Sequence, residues 1–336
     1  RESGDAVDGR GSGRSIDFYR SGGQFDSEWV KHKVIAPVIP VAFDPIYVLP
    51  LPKNHRFPME KYDLLPKQLI HEGTCKPEDF FSPTPLSHDH AKRVHDKNYV
   101  DRLLRLDLDQ KEIRKIGFPI SKQLVQREFV IAGGTVSGAL KAIECGISFN
   151  IAGGTHHAYT GHGEAFCMLN DQAIAARYLL DHGHAQKILI IDLDVHQGNG
   201  TAEIFQQEDR VFTFSMHGKK NYPFKKEISD WDIGLEDHTD DEQYLNILSE
   251  TLPRLFEKVN PDFVFYLSGV DVVTTDRLGR LGMSVDGCKQ RDQMVLQYCH
   301  QRSLGVQCSM GGGYSSDIKI IIDAHANTYR SAQRIY

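Results

Sequence analysis

The chain has 336 residues, 40% of them hydrophobic, and a formal net charge of −6 with both signs interspersed. That is enough apolar side chain for one large core or two modest ones, and it carries no basic footprint of nucleic-acid binding. No apolar run approaches the ~20 residues of a bilayer span, and the amino terminus lacks the apolar core of a signal peptide. Six cysteines show no CxxC pair, which argues against a disulfide framework or zinc-finger spacing and for a reduced, intracellular and cytoplasmic protein.

In chain order, residues 1–33 read as an unstructured tail or a cloning remnant, because 1–27 hold 11 Gly or Ser and almost no periodic apolar pattern. Residues 34–336 read as one domain. The apolar run 34–43 supplies a first strand, and its two prolines place part of it at an edge. The prolines and polar residues of 53–87 predict helical and loop excursions around the mouth of a site. Further on, buried strands are expected at 148–152, 187–193, 211–216, 262–267 and 306–310. Helices are expected at 135–144, 171–181, 241–258, 287–302 and 317–330. This alternation predicts an α/β fold whose central, mainly parallel sheet is covered by helices on both faces.

The residues that carry chemistry all follow such strands. Asp192, Asp194 and His196 alternate at the end of one strand and share one face of an extended chain. Asp271 follows the next apolar run, after Leu267-Ser268-Gly269. One nitrogen and two carboxylates suit a catalytic zinc, because they leave positions open for water and a substrate carbonyl. Asp194, His196 and Asp271 are therefore the expected ligands, with Asp192 orienting a histidine from behind. His156 and His157 follow a Gly-Gly-Thr turn, where imidazoles can exchange protons near neutral pH. Tyr314 follows three glycines, which let the backbone come close and a phenol reach a developing oxyanion. The loop from Gly161 to Phe166 reads as flexible and ends in a tunnel-wall aromatic, while Asp276 to Gly282 shapes the loop after Asp271.

Together these segments resemble the zinc-dependent histone deacetylase superfamily, especially its class IV and bacterial class IV-like members. The matching stretches are Gly153–Ala158, Phe166–Asp171, Asp192–Thr201, Asp271 with Asp276–Leu281, and Gly311–Ser315; His55–Pro58 and His95–Val100 match less closely. The resemblance implies an arginase/deacetylase-like fold and removal of an acyl group from a lysine side-chain amide. His157 would be the general base and acid, with His156 its electrostatic partner. Asp192 would orient His156, Asn199 would contact His157, and Tyr314 would polarise the scissile carbonyl. Phe166 and Tyr222 would line the acyl tunnel. A structural potassium ion, often present in the family, would sit on backbone carbonyls near Asp192, Asp194 and His196, beside Ser215-Met216.

Two departures stand out. Asn199 occupies a place where many deacetylases have aspartate, which would leave His157 less basic. Ala165 stands where glycine usually precedes the tunnel phenylalanine; its carbonyl can still accept from a substrate amide. The partner expected is an acyl-lysine peptide or protein, or a small acylated amine such as an acetylpolyamine. A pseudoenzyme that only binds acyl-lysine is the rival of another class, although no ligand, base or tyrosine is missing. An arginase-type dimanganese centre fits worse, since a second set of bridging carboxylates is lacking.

Overall fold

The computed structural model describes residues 39–336, so the tail expected at 1–33 and the first part of the strand expected at 34–43 lie outside the described residues. One parallel sheet is built from β1 (Val41–Ala42), β2 (Phe80–Phe81), β3 (Ile147–Asn150), β4 (Ile188–Asp192), β5 (Val211–Gly218), β6 (Trp231–Leu235), β7 (Phe263–Leu267) and β8 (Gly305–Ser309). Its order is β2-β1-β3-β8-β7-β4-β5-β6. Before the third strand come α1 (Lys61–His71), α2 (His88–Ala91), α3 (Lys97–Leu104) and α4 (Gln110–Ile116). A long α5 (Lys122–Cys145) then leads into β3. The crossovers that follow carry α6 (Asp171–Asp181), α7 (Asn199–Phe205), α8 (Asp241–Val259) and α9 (Val285–Gln301), and α10 (Ile318–Ile335) closes the chain.

Alternating side chains of β3 show the two covering layers. Ser148 donates to the Gly138 carbonyl of α5 at 2.7 Å, whereas the next residue, Phe149, stacks on Tyr329 of α10 with ring centroids 4.1 Å apart. Central strands buried on both faces are accordingly apolar, as in Phe263–Leu267. The fold is the α/β architecture expected from the sequence.

Strand order decides where a site can form. After β4 the chain winds outward to β5, while β7, on the other side of β4, is followed by β8 in the opposite direction. The loops leaving β4 and β7 diverge, and such a reversal opens a crevice at the carboxyl ends of the strands. Arg291 of α9, fully buried, braces this point by donating from Nη1 to the carbonyls of Leu193 at 3.0 Å and Gly269 at 2.6 Å.

Some elements differ from expectation. The helix expected at 135–144 is the end of the 24-residue α5. Gly133 and Gly134, poor helix formers, sit inside it for close approach. A Cβ on Gly133 would sit 2.0 Å from the Thr84 carbonyl, and one on Gly134 2.5 Å from the Tyr47 hydroxyl. Packing has overridden propensity. Edge strand β6 was not expected, since its Asp and Gly are depleted in strands. All six cysteines are free. Among the described residues no helix is long and apolar enough to cross a membrane.

Candidate active site and metal centre

Asp194, His196 and Asp271 converge from the ends of β4 and β7, with one potential ligand atom of each lying within 4.8 Å of the others. Main-chain N–H groups anchor both carboxylates, and each turns one oxygen toward the His196 ring. Asp194 accepts the Gly312 N–H on Oδ2 at 2.8 Å, and Asp271 accepts the Val195 N–H on Oδ1 at 2.9 Å. The inward oxygens, Asp194 Oδ1 and Asp271 Oδ2, both lie 3.1 Å from His196 Nδ1. One N–H on that ring would have to be shared weakly between two carboxylate oxygens, whereas a cation among the three would engage every ligand. Without one, burial and then the Asp194 charge push Asp271 up to about 7. Burial opposes a charge on His196, but the two carboxylates outweigh it and raise the ring to about 10. The donor set fits a metal ion. Gly312 is required here, because a Cβ at that position would meet Asp271 Oδ2 at 2.0 Å.

Both histidines of the Gly-Gly-Thr turn are buried and face this centre. Asp171 shapes the turn by accepting the Thr155 N–H at 2.9 Å and its hydroxyl at 2.7 Å. His156 Nδ1 lies 2.6 Å from Asp192 Oδ2, and His157 Nδ1 lies 2.6 Å from Asn199 Oδ1. The two rings therefore differ. Burial lowers the pKa of both, but the Asp192 carboxylate more than compensates at His156 and holds it above the ordinary imidazole value. His157, beside a neutral amide and two other histidines, lies well below it.

Tyr314 lines the same cavity as His156, His157, Asp194 and His196, and burial with the nearby Asp271 and Asp194 charges keeps its phenol protonated. The cavity measures about 630 Å³. Phe166 forms its wall, with ring centroids 5.1 Å from both Phe57 and Phe118 and 6.2 Å from Tyr314. The ring of Tyr222 meets that of His157 edge-on at 5.1 Å, but its hydroxyl is committed to Glu164 Oε1 at 2.5 Å. Arg56, Lys115, Lys220 and Arg280 also line the cavity, and Asp194 is the one acid among its described lining residues. The strand ends at Asp192 and Ser215 are register partners, which brings the carbonyls expected to hold potassium onto neighbouring strands.

The glycine-rich loop before Phe166 is not free. A Cβ on Gly163 would lie 2.5 Å from the Cys167 carbonyl and 2.8 Å from the Tyr99 hydroxyl. Ala165 and Phe166 both have positive φ, +47° and +68°, and Cys167 N–H closes onto the Glu164 carbonyl at 2.9 Å. Positive φ at both central residues marks a type I′ turn, which normally takes Asn-Gly. Main-chain bonds from Ala165 to Lys115 and from Phe166 to Ile116 hold it in place. The freedom read from Gly161 and Gly163 is therefore replaced by a tight, pinned turn.

Three acidic residues of this network were not assigned site roles from the sequence: Asp171, Glu164 and Asp276. Asp276 accepts the Tyr314 N–H at 2.6 Å, so the loop after Asp271 also positions the tyrosine.

Residues 55–328 match the model of the histone deacetylase domain. The chain is 45% identical to an uncharacterized protein of Picosynechococcus over 297 residues, 88% of this chain and 99% of that one. It is 28% identical to histone deacetylase 2 of Arabidopsis thaliana, covering 83% of this chain and 74% of the relative. Among solved structures, an HDAC homolog complexed with SAHA shares the fold at a TM-score of 0.77 and 22% identity, covering 89% of this chain and 84% of that chain.

Proposed function

The chain belongs to the histone deacetylase family, and from that premise we propose that it hydrolyses Nε-acyl-lysine amides with a zinc ion held by Asp194, His196 and Asp271. The observation that carries this reading is the shared cavity. It brings a metal-type donor set, a buried neutral imidazole and a protonated phenol to one place. Bound there, zinc supplies Lewis acidity toward an acyl carbonyl and toward a water. His157 takes the proton of the attacking water on Nε2 and returns it to the departing lysine nitrogen. Tyr314 donates its hydroxyl to the developing oxyanion. His156, whose imidazole the Asp192 carboxylate holds above its ordinary value, favours positive charge beside it.

The rim supports a peptide over a polyamine. Lys115 is paired with Glu164, and Lys220 and Arg280 with Asp237, but Arg56 lines the cavity with no ion pair among the described residues, and no carboxylate among the described lining residues is free to receive an ammonium group. Asn199 supports the class IV-like placement, and with it activity on long acyl chains. An apolar cavity wall of Phe57, Phe118, Ile131 and Phe166 supports the latter, each buried methylene adding ~0.8 kcal/mol.

Acetyl-, octanoyl- and myristoyl-lysine in one peptide, with an acetylpolyamine alongside, would test both points on zinc-loaded protein. The expected order is peptide above polyamine, with kcat/KM rising with chain length. A steady fall with chain length would leave a simple deacetylase, and preference for the polyamine would overturn the substrate class. Binding without turnover on every substrate would favour the pseudoenzyme.

A further inference from the structure

Behind the amide of Asn199 lies a carboxylate held by three donors, Asn199, Tyr222 and Lys115. Glu164, 4% exposed, receives Asn199 Nδ2 at 2.7 Å and the Tyr222 hydroxyl at 2.5 Å on Oε1. Its Oε2 lies 2.5 Å from Lys115 Nζ and 3.5 Å from His162 Nε2. We propose that Glu164 is a positioning residue, acting through Asn199 to hold His157 as its Nδ1–H tautomer with the Nε2 lone pair free. The proposal rests on the reading of His157 as the base.

An ionised carboxylate can only accept hydrogen bonds. Burial alone would raise the pKa of Glu164, yet the neighbouring His162 ring, the Lys115 ammonium and the bonds from Tyr222 and Asn199 outweigh it and keep the group ionised. Asn199 must therefore turn its NH2 toward Glu164. Its carbonyl then faces His157 Nδ1 at 2.6 Å, and only an N–H on that nitrogen completes the bond. A flipped amide would set oxygen against oxygen and an N–H2 against Nδ1. That orientation would force the proton onto Nε2 and leave no lone pair for a water. Hydrogen bonds to charged groups are about twice as strong as neutral ones, enough to hold one orientation almost exclusively. The same oxygen fixes the Tyr222 hydroxyl, and the Tyr222 ring packs against His157. A charge placed one residue away thus sets the direction of the imidazole without sitting beside it.

The test exchanges the two groups. N199D alone puts two carboxylates in contact at a spacing now bridged by 2.7 Å, and should lower kcat by about 10–100-fold, the usual range for groups behind a catalytic residue. N199D/E164Q restores a donor opposite the new carboxylate and should recover most of that loss, with KM little changed. A merely structural Glu164 predicts that the two substitutions add. Imidazole ¹⁵N chemical shifts of zinc-loaded protein read the His157 tautomer without turnover: Nδ1–H is expected, and a mixture in E164A. Protonation at Nε2 in the unmodified protein, or N199D with full activity, would overturn the proposal. The Nδ1–H form in a protein that hydrolyses no acyl-lysine would instead overturn the functional reading and leave the positioning role standing.

Discussion

Asp276 Oδ2 accepts the main-chain N–H of Tyr314 at 2.6 Å, while its Oδ1 accepts from Leu278 at 2.8 Å and Gly279 at 2.9 Å. One carboxylate therefore ties the loop after β7 to the glycine turn after β8. The phenol stands on a backbone that three glycines would otherwise leave loose. Tyr314→Phe should keep metal and fold and lose on the order of 10²–10³ in rate. Asp276→Ala should lose about 10–100-fold in kcat with a smaller change in KM, because the tyrosine is present but less well held. Steady-state kinetics on one acyl-lysine peptide checks both. Turnover of Tyr314→Phe at the unmodified rate would remove the carbonyl-polarising role.

Metal content offers a check that needs no substrate. With Asp194, His196 and Asp271 as the ligands, the unmodified protein should carry one zinc per chain, and Asp271→Ala should lose most of it. Elemental analysis after dialysis decides the matter. Full retention of zinc by that variant would sink the ligand set.

His95 gives the fold an acid limit. Its Nε2 accepts the Asn170 N–H at 3.0 Å and its Nδ1–H donates to the Tyr159 carbonyl at 2.9 Å, so the buried ring is neutral. Burial lowers its pKa to about 4 from the ordinary 6.5. The unfolded chain binds this proton first as pH falls. Stability from this group is thus complete above ~6.5 and lost progressively down to ~4, a total of roughly 3 kcal/mol. His95→Gln keeps a donor and an acceptor without titrating, and urea unfolding at pH 7, 5.5 and 4.5 should show a shallower decline. An unchanged slope in the variant would refute the assignment.

Ala165 holds a φ of +47° in a turn pinned by its own main chain. Left-handed backbone costs a non-glycine residue about 1–2 kcal/mol, whereas glycine costs about 0.4–1 kcal/mol through the unfolded state. Strain is the larger of the two. Ala165→Gly should raise stability by up to about 1 kcal/mol, seen as a higher thermal midpoint. A lower midpoint would mean that the turn carries no strain.

Local signals made much of this readable. Asp171–Asp181 matched its expected helix end to end, because Asn170, immediately before it, caps it by accepting the Ala173 N–H at 3.1 Å. The buried strands were found within a few residues, since continuous apolar runs bounded by polar residues do not depend on distant partners. Where partners are distant, reading failed. Gly133 and Gly134 break a helix in sequence but permit one beneath Thr84 and Tyr47. Glu164 looked like part of a mobile loop, and its partners Asn199 and Tyr222 lie 35 and 58 positions away.

By itself the sequence determined the chemistry available and the strand ends that carry it, because ligand types, glycine turns and apolar runs are local properties. Only the tertiary structure decided which groups meet. The reversal of strand order between β4 and β7 brings Asp194 and Asp271 to one point, and Arg291 from α9 holds the two strand ends there. Hydrogen bonding across the cavity then gives each imidazole its character, His156 against a carboxylate and His157 against an amide oriented by Glu164. Charge and proton position depend on distance in space, and spacing along the chain does not encode them.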